Sequence, residues 1–151
     1  MKEVCGHYRF SLYESEESLD NNLLECFLYQ SKLAPGADAT CVAQIVKTAR
    51  AFNEKAQITG ILVFDGEFFC QYIEGPSSQV QNLVALLTGD PRHVNFTPLL
   101  HLKREPYRRF SKWTMAYHLV DDAEVLEGIG IRPGESALKK LQDLIPQLDT
   151  D

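Results

Sequence analysis

Three polar side chains sit where apolar ones would be expected. They are Tyr29 in the run from Leu24 to Ser31, Asn53 in the stripe Val42, Ile45, Val46, Ala49, Phe52, and Gln71 between Phe69 and Ile73. A phenol carries one proton that it can donate, and a carboxamide presents a donor at one end and an acceptor at the other. Buried without a partner, each such group costs about 1–3 kcal/mol, so each demands a hydrogen bond. Two readings are open from the residues alone. The three can satisfy one another or the backbone, with helix-end capping also available to Asn53. Alternatively a flat polar ring lies between helix and strand and brings carbonyls and an N–H for Asn53 and Gln71 to bind.

Other groups carry less. Arg92-His93 follow a helical stretch in a turn, where they can hold an anionic ligand group or stand solvated. His7, His101 and His118 pair neither with one another nor with carboxylates at metal-ligand spacing. Gly128-x-Gly130-x-x-x-Gly134 has the wrong spacing for a dinucleotide fingerprint and follows a helical pattern, not a strand. No G-x-S-x-G, P-loop or plausible nucleophile–base spacing occurs, so nothing here looks like a hydrolase. Cys5, Cys26, Cys41 and Cys70 form no C-x-x-C, and Cys26 and Cys70 lie in apolar runs where a thiol acts as a small hydrophobe.

These side chains need elements to hold them. Leu24 to Ser31, ended by Ala34-Pro35-Gly36, predicts a strand. Asp38 or Thr40 can cap a helix whose apolar face runs from Val42 through Asn53 to about Ala56. Ile58 to Phe64 and Glu67 to Ile73 flank Asp65-Gly66, which predicts a tight type I′ hairpin. In that register Phe64 faces Glu67, Leu62 faces Phe69, and Gly60 faces Gln71, leaving room beside the amide. Glu74-Gly75-Pro76 stops the hairpin, and Ser78 with Gln81 suits a capping box. Val80, Leu83, Val84 and Leu87 make a second amphipathic helix closed by Gly89. Val94 to Leu102 and Lys112 to Leu119 read as further strands. The order is that of an α+β, ferredoxin-like β-α-β-β-α-β core with an additional strand and two helices on one sheet face.

The rest frames that core. Residues 1–22 are an N-terminal extension in which Glu14 to Asp20 holds four carboxylates in seven residues. Residues 23–120 are the compact domain. Residues 121–151 are a helical cap or output segment: Asp121 or Asp122 caps a short helix ending near Gly128, and Leu138, Leu141, Leu144, Ile145 and Leu148 form a later stripe that Pro146 kinks or ends. That stripe is expected to cover the open sheet face. A length of 151 residues suits one domain, and 15 Lys+Arg against 21 Asp+Glu, a net charge of −6, disfavours binding to a phosphate backbone. No apolar leader or membrane-length run is visible, so a reduced, cytoplasmic protein is expected.

The ordered set of motifs resembles the BLUF family, the blue-light sensors that use FAD, over about Leu24 to Leu119. The matching stretches are Phe27 to Ser31, Asn53, Ile58-Thr-Gly60, Phe68 to Gly75, Asp90 to His93 and Arg109 to Met115. The resemblance implies non-covalent FAD between the two core helices. It implies that Tyr29 is the photoactive tyrosine, giving an electron and a proton to the excited flavin, and that Gln71 is the glutamine whose amide rearranges after light. Asn53 then holds the polar edge of the ring, Arg92 and His93 lie near the ribityl and phosphate side, and Trp113 and Met115 are the signalling pair. Phe52 stands beside the flavin where many relatives carry Asn or His, and is expected to modify the pocket.

The expectation is therefore a light sensor that is not an enzyme. Its partners are a flavin and an unknown downstream protein or a second copy of itself, with neither nucleic acid nor membrane involved. The alternative is a ferredoxin-like interaction module without photochemistry. A flavin redox enzyme is disfavoured, because no nicotinamide site or substrate-specific acid and base is visible. Whether FAD, FMN or riboflavin is bound as isolated stays open.

Overall fold

The structure, a computed structural model, describes residues 23–111, 114–120, 126, 128–130 and 134–144. Strand β1 (Leu24–Leu33) leads into helix α1 (Cys41–Ala56), and β2 (Thr59–Phe64) and β3 (Phe68–Pro76) form the hairpin. Helix α2 (Ser77–Thr88), β4 (His93–Glu105), β5 (Ala116–Leu119) and helix α3 (Glu135–Asp143) follow. The sheet order is β4-β1-β3-β2-β5, so the first four strands take the ferredoxin-like arrangement and β5 adds a parallel edge beside β2.

Alternation along the strands sorts the core into two layers. Phe27, Tyr29, Leu62, Phe69 and Ile73 pack under α1 and α2 with Val42, Val46, Val80 and Leu83. Cys26, Leu28, Ile61, Val63, Cys70 and Tyr72 face the other way and are covered by Leu126, Ile129, Ala137, Leu138 and Leu141. The expected C-terminal cap is thus in place over the second face. Residues 128–130 are helical, so that turn passes Gly128, where the sequence pattern ended it. Asp121, Asp122, Ile145, Pro146 and Leu148 lie outside the described residues, as does the extension 1–22.

The hairpin register differs from expectation by two residues. Phe64 pairs with Phe69, Leu62 with Gln71, and Gly60 with Ile73. The turn residues are Gly66 and Glu67: the Asp65 carboxylate accepts from the amides of Glu67 (2.8 Å) and Phe68 (2.6 Å), and Gly66 takes φ of 97°. Asp65 therefore organises the turn from its edge instead of sitting within it. Because the slip is even, every side chain keeps its face. Leu62, not Gly60, stands opposite Gln71. Gly60 serves the backbone: a Cβ there would collide with the Tyr72 carbonyl group.

Three boundaries also move. Glu74-Gly75-Pro76 continue β3, because they pair with Cys26, Glu25 and Leu24 of β1. Helix α2 then starts at Ser77, so Ser78 lies inside its first turn, no side chain caps it, and Gln81 Nε2 donates to Ser77 Oγ at 3.2 Å. The last strand is confined to Ala116–Leu119, with Thr114 and Met115 in a bend before it. Neither Asp38 nor Thr40 caps the first turn of α1 through its side chain; Asp38 Oδ1 accepts from the Thr40 amide at 3.0 Å and shapes the approach. Among the described residues no helix is long and apolar enough to cross a membrane.

Candidate functional site

Tyr29 of β1 and Gln71 of β3 are direct cross-strand partners on the sheet face beneath α1 and α2. The Tyr29 hydroxyl donates to Gln71 Oε1. The other end of the same amide, Nε2, points at Met115 Sδ at 3.7 Å. Tyr29 is 3% exposed, Gln71 4% and Met115 2%, so this line of three groups is shielded from water. Burial pushes the Tyr29 phenol well above its ordinary range, with smaller contributions from Cys70 and Asp90. The phenol therefore keeps its proton at neutral pH and acts as a donor. Its ring stacks on Phe96 at 4.5 Å between centroids and meets His93 edge-on at 6.1 Å.

Asn53 comes from the last turns of α1 and is fully buried. Its Nδ2 donates to the Thr114 carbonyl at 2.7 Å. Its Oδ1 is buried with no hydrogen-bond partner. The helix end does not use this side chain, since the amides of Gln57 and Ile58 go to the Asn53 backbone carbonyl. An orphaned buried acceptor costs about 1–3 kcal/mol and is satisfied by an incoming N–H donor.

A cleft between α1, α2 and the sheet joins these groups. Ile45, Ala49, Leu62, Phe69, Leu83 and Leu87 give it apolar walls, Tyr29, Asn53 and Gln71 a polar end, and Asp90, Arg92 and His93 a second polar region. Arg92 is held by Asp90 (Nη2 to Oδ2, 2.6 Å), and the hydrogen bonds from Arg92 hold the Asp90 carboxyl below its usual range. His93 contacts Ser31 Oγ through Nδ1 at 2.7 Å and the Leu87 carbonyl through Nε2. This arrangement suits a planar heterocycle with an N–H and C=O edge at one end and a polar tail at the other. Phe52 is half-buried against the same core but does not line the cleft. Trp113 lies outside the described residues, so Met115 is the member of that pair seen beside Gln71.

Sequence reasoning missed the groups that hold the Met115 segment. Arg50 Nε donates to the Met115 carbonyl at 3.0 Å, one turn of α1 before Asn53 takes the Thr114 carbonyl. Glu74, read as a strand stop, is a fully buried carboxylate. Its Oε1 accepts from the Phe110 amide (2.7 Å) and Thr59 Oγ1 (3.2 Å), and its Oε2 from the Arg109 amide (2.9 Å) and the Tyr72 hydroxyl (3.1 Å). Both hydroxyls also accept from arginines, Thr59 from Arg108 and Tyr72 from Arg109. A charged residue inside the apolar run Phe68 to Ile73 and its continuation was the signal available for it.

The sequence model of BLUF, "Sensors of blue-light using FAD", matches residues 24–116. The blue light- and temperature-regulated antirepressor BluF of Escherichia coli K12 is 34% identical over 90 residues, which are 60% of this chain and 22% of that protein. This chain thus spans under a quarter of that relative. The dark-state structure of the BLUF protein BlrB superposes with a TM-score of 0.71 at 29% identity, over 83% of this chain and 96% of that one. Klebsiella pneumoniae BlrP1, solved with FMN and cyclic diGMP, gives a TM-score of 0.60 at 30% identity over 64% of this chain and 26% of its own.

Proposed function

This chain belongs to the BLUF family of flavin-binding blue-light sensors, and we propose that it senses light through a hydrogen-bond switch between Tyr29 and Gln71 beside bound FAD. The observation that carries this reading is the buried line Tyr29–Gln71–Met115, which connects the cleft to the segment entering the last strand. The residues fit the group: Asn53 Oδ1 is an unpaired acceptor for a ring N–H, Gln71 offers a carboxamide at the same end, and Arg92 and His93 stand where a tail would leave. When bound, the flavin supplies absorption of blue light and an excited state able to oxidise a phenol.

The chain's own part is a change of partners. Tyr29, kept protonated by burial, offers its hydrogen to Gln71 Oε1. Rotation or tautomerisation of the Gln71 amide puts a donor where the acceptor stood, which reverses what the phenol meets and changes what Met115 Sδ meets. A carboxylate at Gln71 would only accept when ionised and could not reverse. Such a local reversal can bias a packed two-state element. Residues 23–120 form the sensing domain on this reading, and 121–151 carry the output by contact with a protein partner or a second copy in the cytoplasm. Residues 1–22 remain an extension without an assigned role.

The test is an absorption spectrum of the purified chain in darkness and after a blue flash, with the extracted flavin identified by chromatography. The expected result is a flavin spectrum that shifts slightly to the red and recovers in the dark, with FAD in the extract. A spectrum that stays fixed or only bleaches refutes the switch. FMN or riboflavin as the sole extract refutes the choice of FAD. Protein that stays colourless after reconstitution favours the interaction module instead.

A further inference from the structure

Gln30 follows Tyr29 in β1 and so projects to the opposite face of the sheet. Its cross-strand partner is Cys70, just as that of Tyr29 is Gln71. On that face its strand neighbours Cys26 and Leu28 are buried apolar groups beneath the C-terminal cap. Gln30 is polar, and its side chain reaches into the cap. Nε2 donates to the Leu126 carbonyl at 3.2 Å. The same amide lies so close to Gly130 that a Cβ there would overlap it. Gly130 has no positive φ to explain a glycine, so the close approach is what its missing side chain permits.

We propose that Gln30 is a positioning residue for output, tying the Tyr29–Gln71 pair to the cap at Leu126 and Gly130 so that the cap responds to the state of the switch. The inference rests on the light-sensing reading above. Its physical basis is the difference between two kinds of contact. Ile129, Leu138 and Leu141 hold the sheet by apolar packing, which is not directional. The Gln30 bond is directional and weakens steeply with angle, and Gly130 leaves its amide no slack on one side. A small shift of β1 as Tyr29 changes partner therefore reaches the cap first through Gln30. Contiguity by itself does not establish coupling, so the coupling is what must be measured.

The experiment is amide hydrogen exchange across residues 126–141 of the full flavin-loaded chain, in darkness and under blue light, with the absorption shift followed in parallel. In the wild type, light is expected to change the exchange rate by about fivefold, the low end of ordinary coupling. Gln30→Leu keeps the volume but loses the bond; Gly130→Ala keeps Gln30 but displaces its amide. Both are expected to keep the red shift while their light-to-dark exchange ratio falls to about one. A merely structural role would instead raise exchange in darkness and light together and keep the ratio, which overturns the proposal. So does a photoswitching wild type with no light-dependent exchange in the cap. If Gln30→Leu opens the cap in darkness, Gly130→Ala decides by the same criterion. Absence of a red shift in the wild type sinks the light-sensing reading, and this inference with it.

Discussion

Replacing Glu74 by glutamine changes one oxygen to an NH2 group in a site where both oxygens are committed. Each oxygen takes one backbone amide, Phe110 at Oε1 and Arg109 at Oε2, and one hydroxyl, Thr59 or Tyr72. Whichever way a carboxamide turns, its NH2 faces a backbone N–H that cannot reverse. The hydroxyls give little relief, because each already accepts from an arginine and must still place its own hydrogen. One unsatisfied buried donor costs about 1–3 kcal/mol, and the remaining bonds lose their charge assistance, so a net loss of roughly 2–4 kcal/mol follows. At about 4 °C per kcal/mol for a domain of this size, the melting temperature should fall by roughly 8–16 °C. Circular dichroism melts of wild-type and Glu74→Gln protein, both loaded with flavin, measure this directly. A fall smaller than about 3 °C would mean that the Glu74 cluster does not secure the chain from Arg108 to Phe110, and the reasoning fails.

Tyr29→Phe removes the hydroxyl while keeping a ring that stacks on Phe96, so flavin should stay bound and the light-induced red shift should vanish in flash absorption; an unchanged photocycle removes the role assigned to Tyr29. Asn53→Ala deletes the orphaned acceptor and leaves the Thr114 carbonyl without its donor, so flavin affinity should fall by about tenfold in equilibrium titration, and wild-type affinity would contradict the placement of the ring edge. Burial pushes the Cys70 thiol from 9.0 up to about 12. The folded chain then holds a proton that the unfolded chain has released, so this group's contribution to stability is lost as pH rises through that window. Cys70→Ala should accordingly show a shallower alkaline fall in its urea midpoint than wild type, and identical slopes would refute the assignment.

What could be read in the sequence follows from how local each cause is. The stripe of α1, the alternation in β3 and the polar identity of Tyr29, Asn53 and Gln71 are written in neighbouring residues, and the structure places all three around one cleft. Asp-Gly is a strong turn pair and points to a turn one residue earlier than the one observed. Only the geometry shows that the Asp65 carboxylate closes the turn from outside it. The error spared the site, because a slip of two leaves Gln71 on the face of Tyr29. Glu-Gly-Pro is a local breaker in sequence, whereas the donors that bury Glu74 at Thr59, Arg109 and Phe110 arrive from distant parts of the chain. Arg50 was invisible for a related reason: its partner is a backbone carbonyl, and any residue type could have supplied it.

The strengths of these contacts also bear on the switch proposed for Tyr29 and Gln71. Two states interconvert usefully only if they differ by a few kcal/mol. The segment at Thr114 and Met115 is fixed by ordinary hydrogen bonds from Asn53 and Arg50, and the chain at Arg109 and Phe110 by the Glu74 carboxylate. Gln71 is held unequally. One end of its amide has the Tyr29 hydroxyl, and the other has only a thioether sulfur at 3.7 Å, a weak acceptor. Reversing the amide therefore gives up little at Met115, and the outcome is decided at the Tyr29 end, where the ligand cleft opens. A strong acceptor in place of Met115 would hold the Gln71 NH2 and oppose the proposed reversal. On the proposed switch, the amide that turns is left with a single firm partner, the Tyr29 hydroxyl.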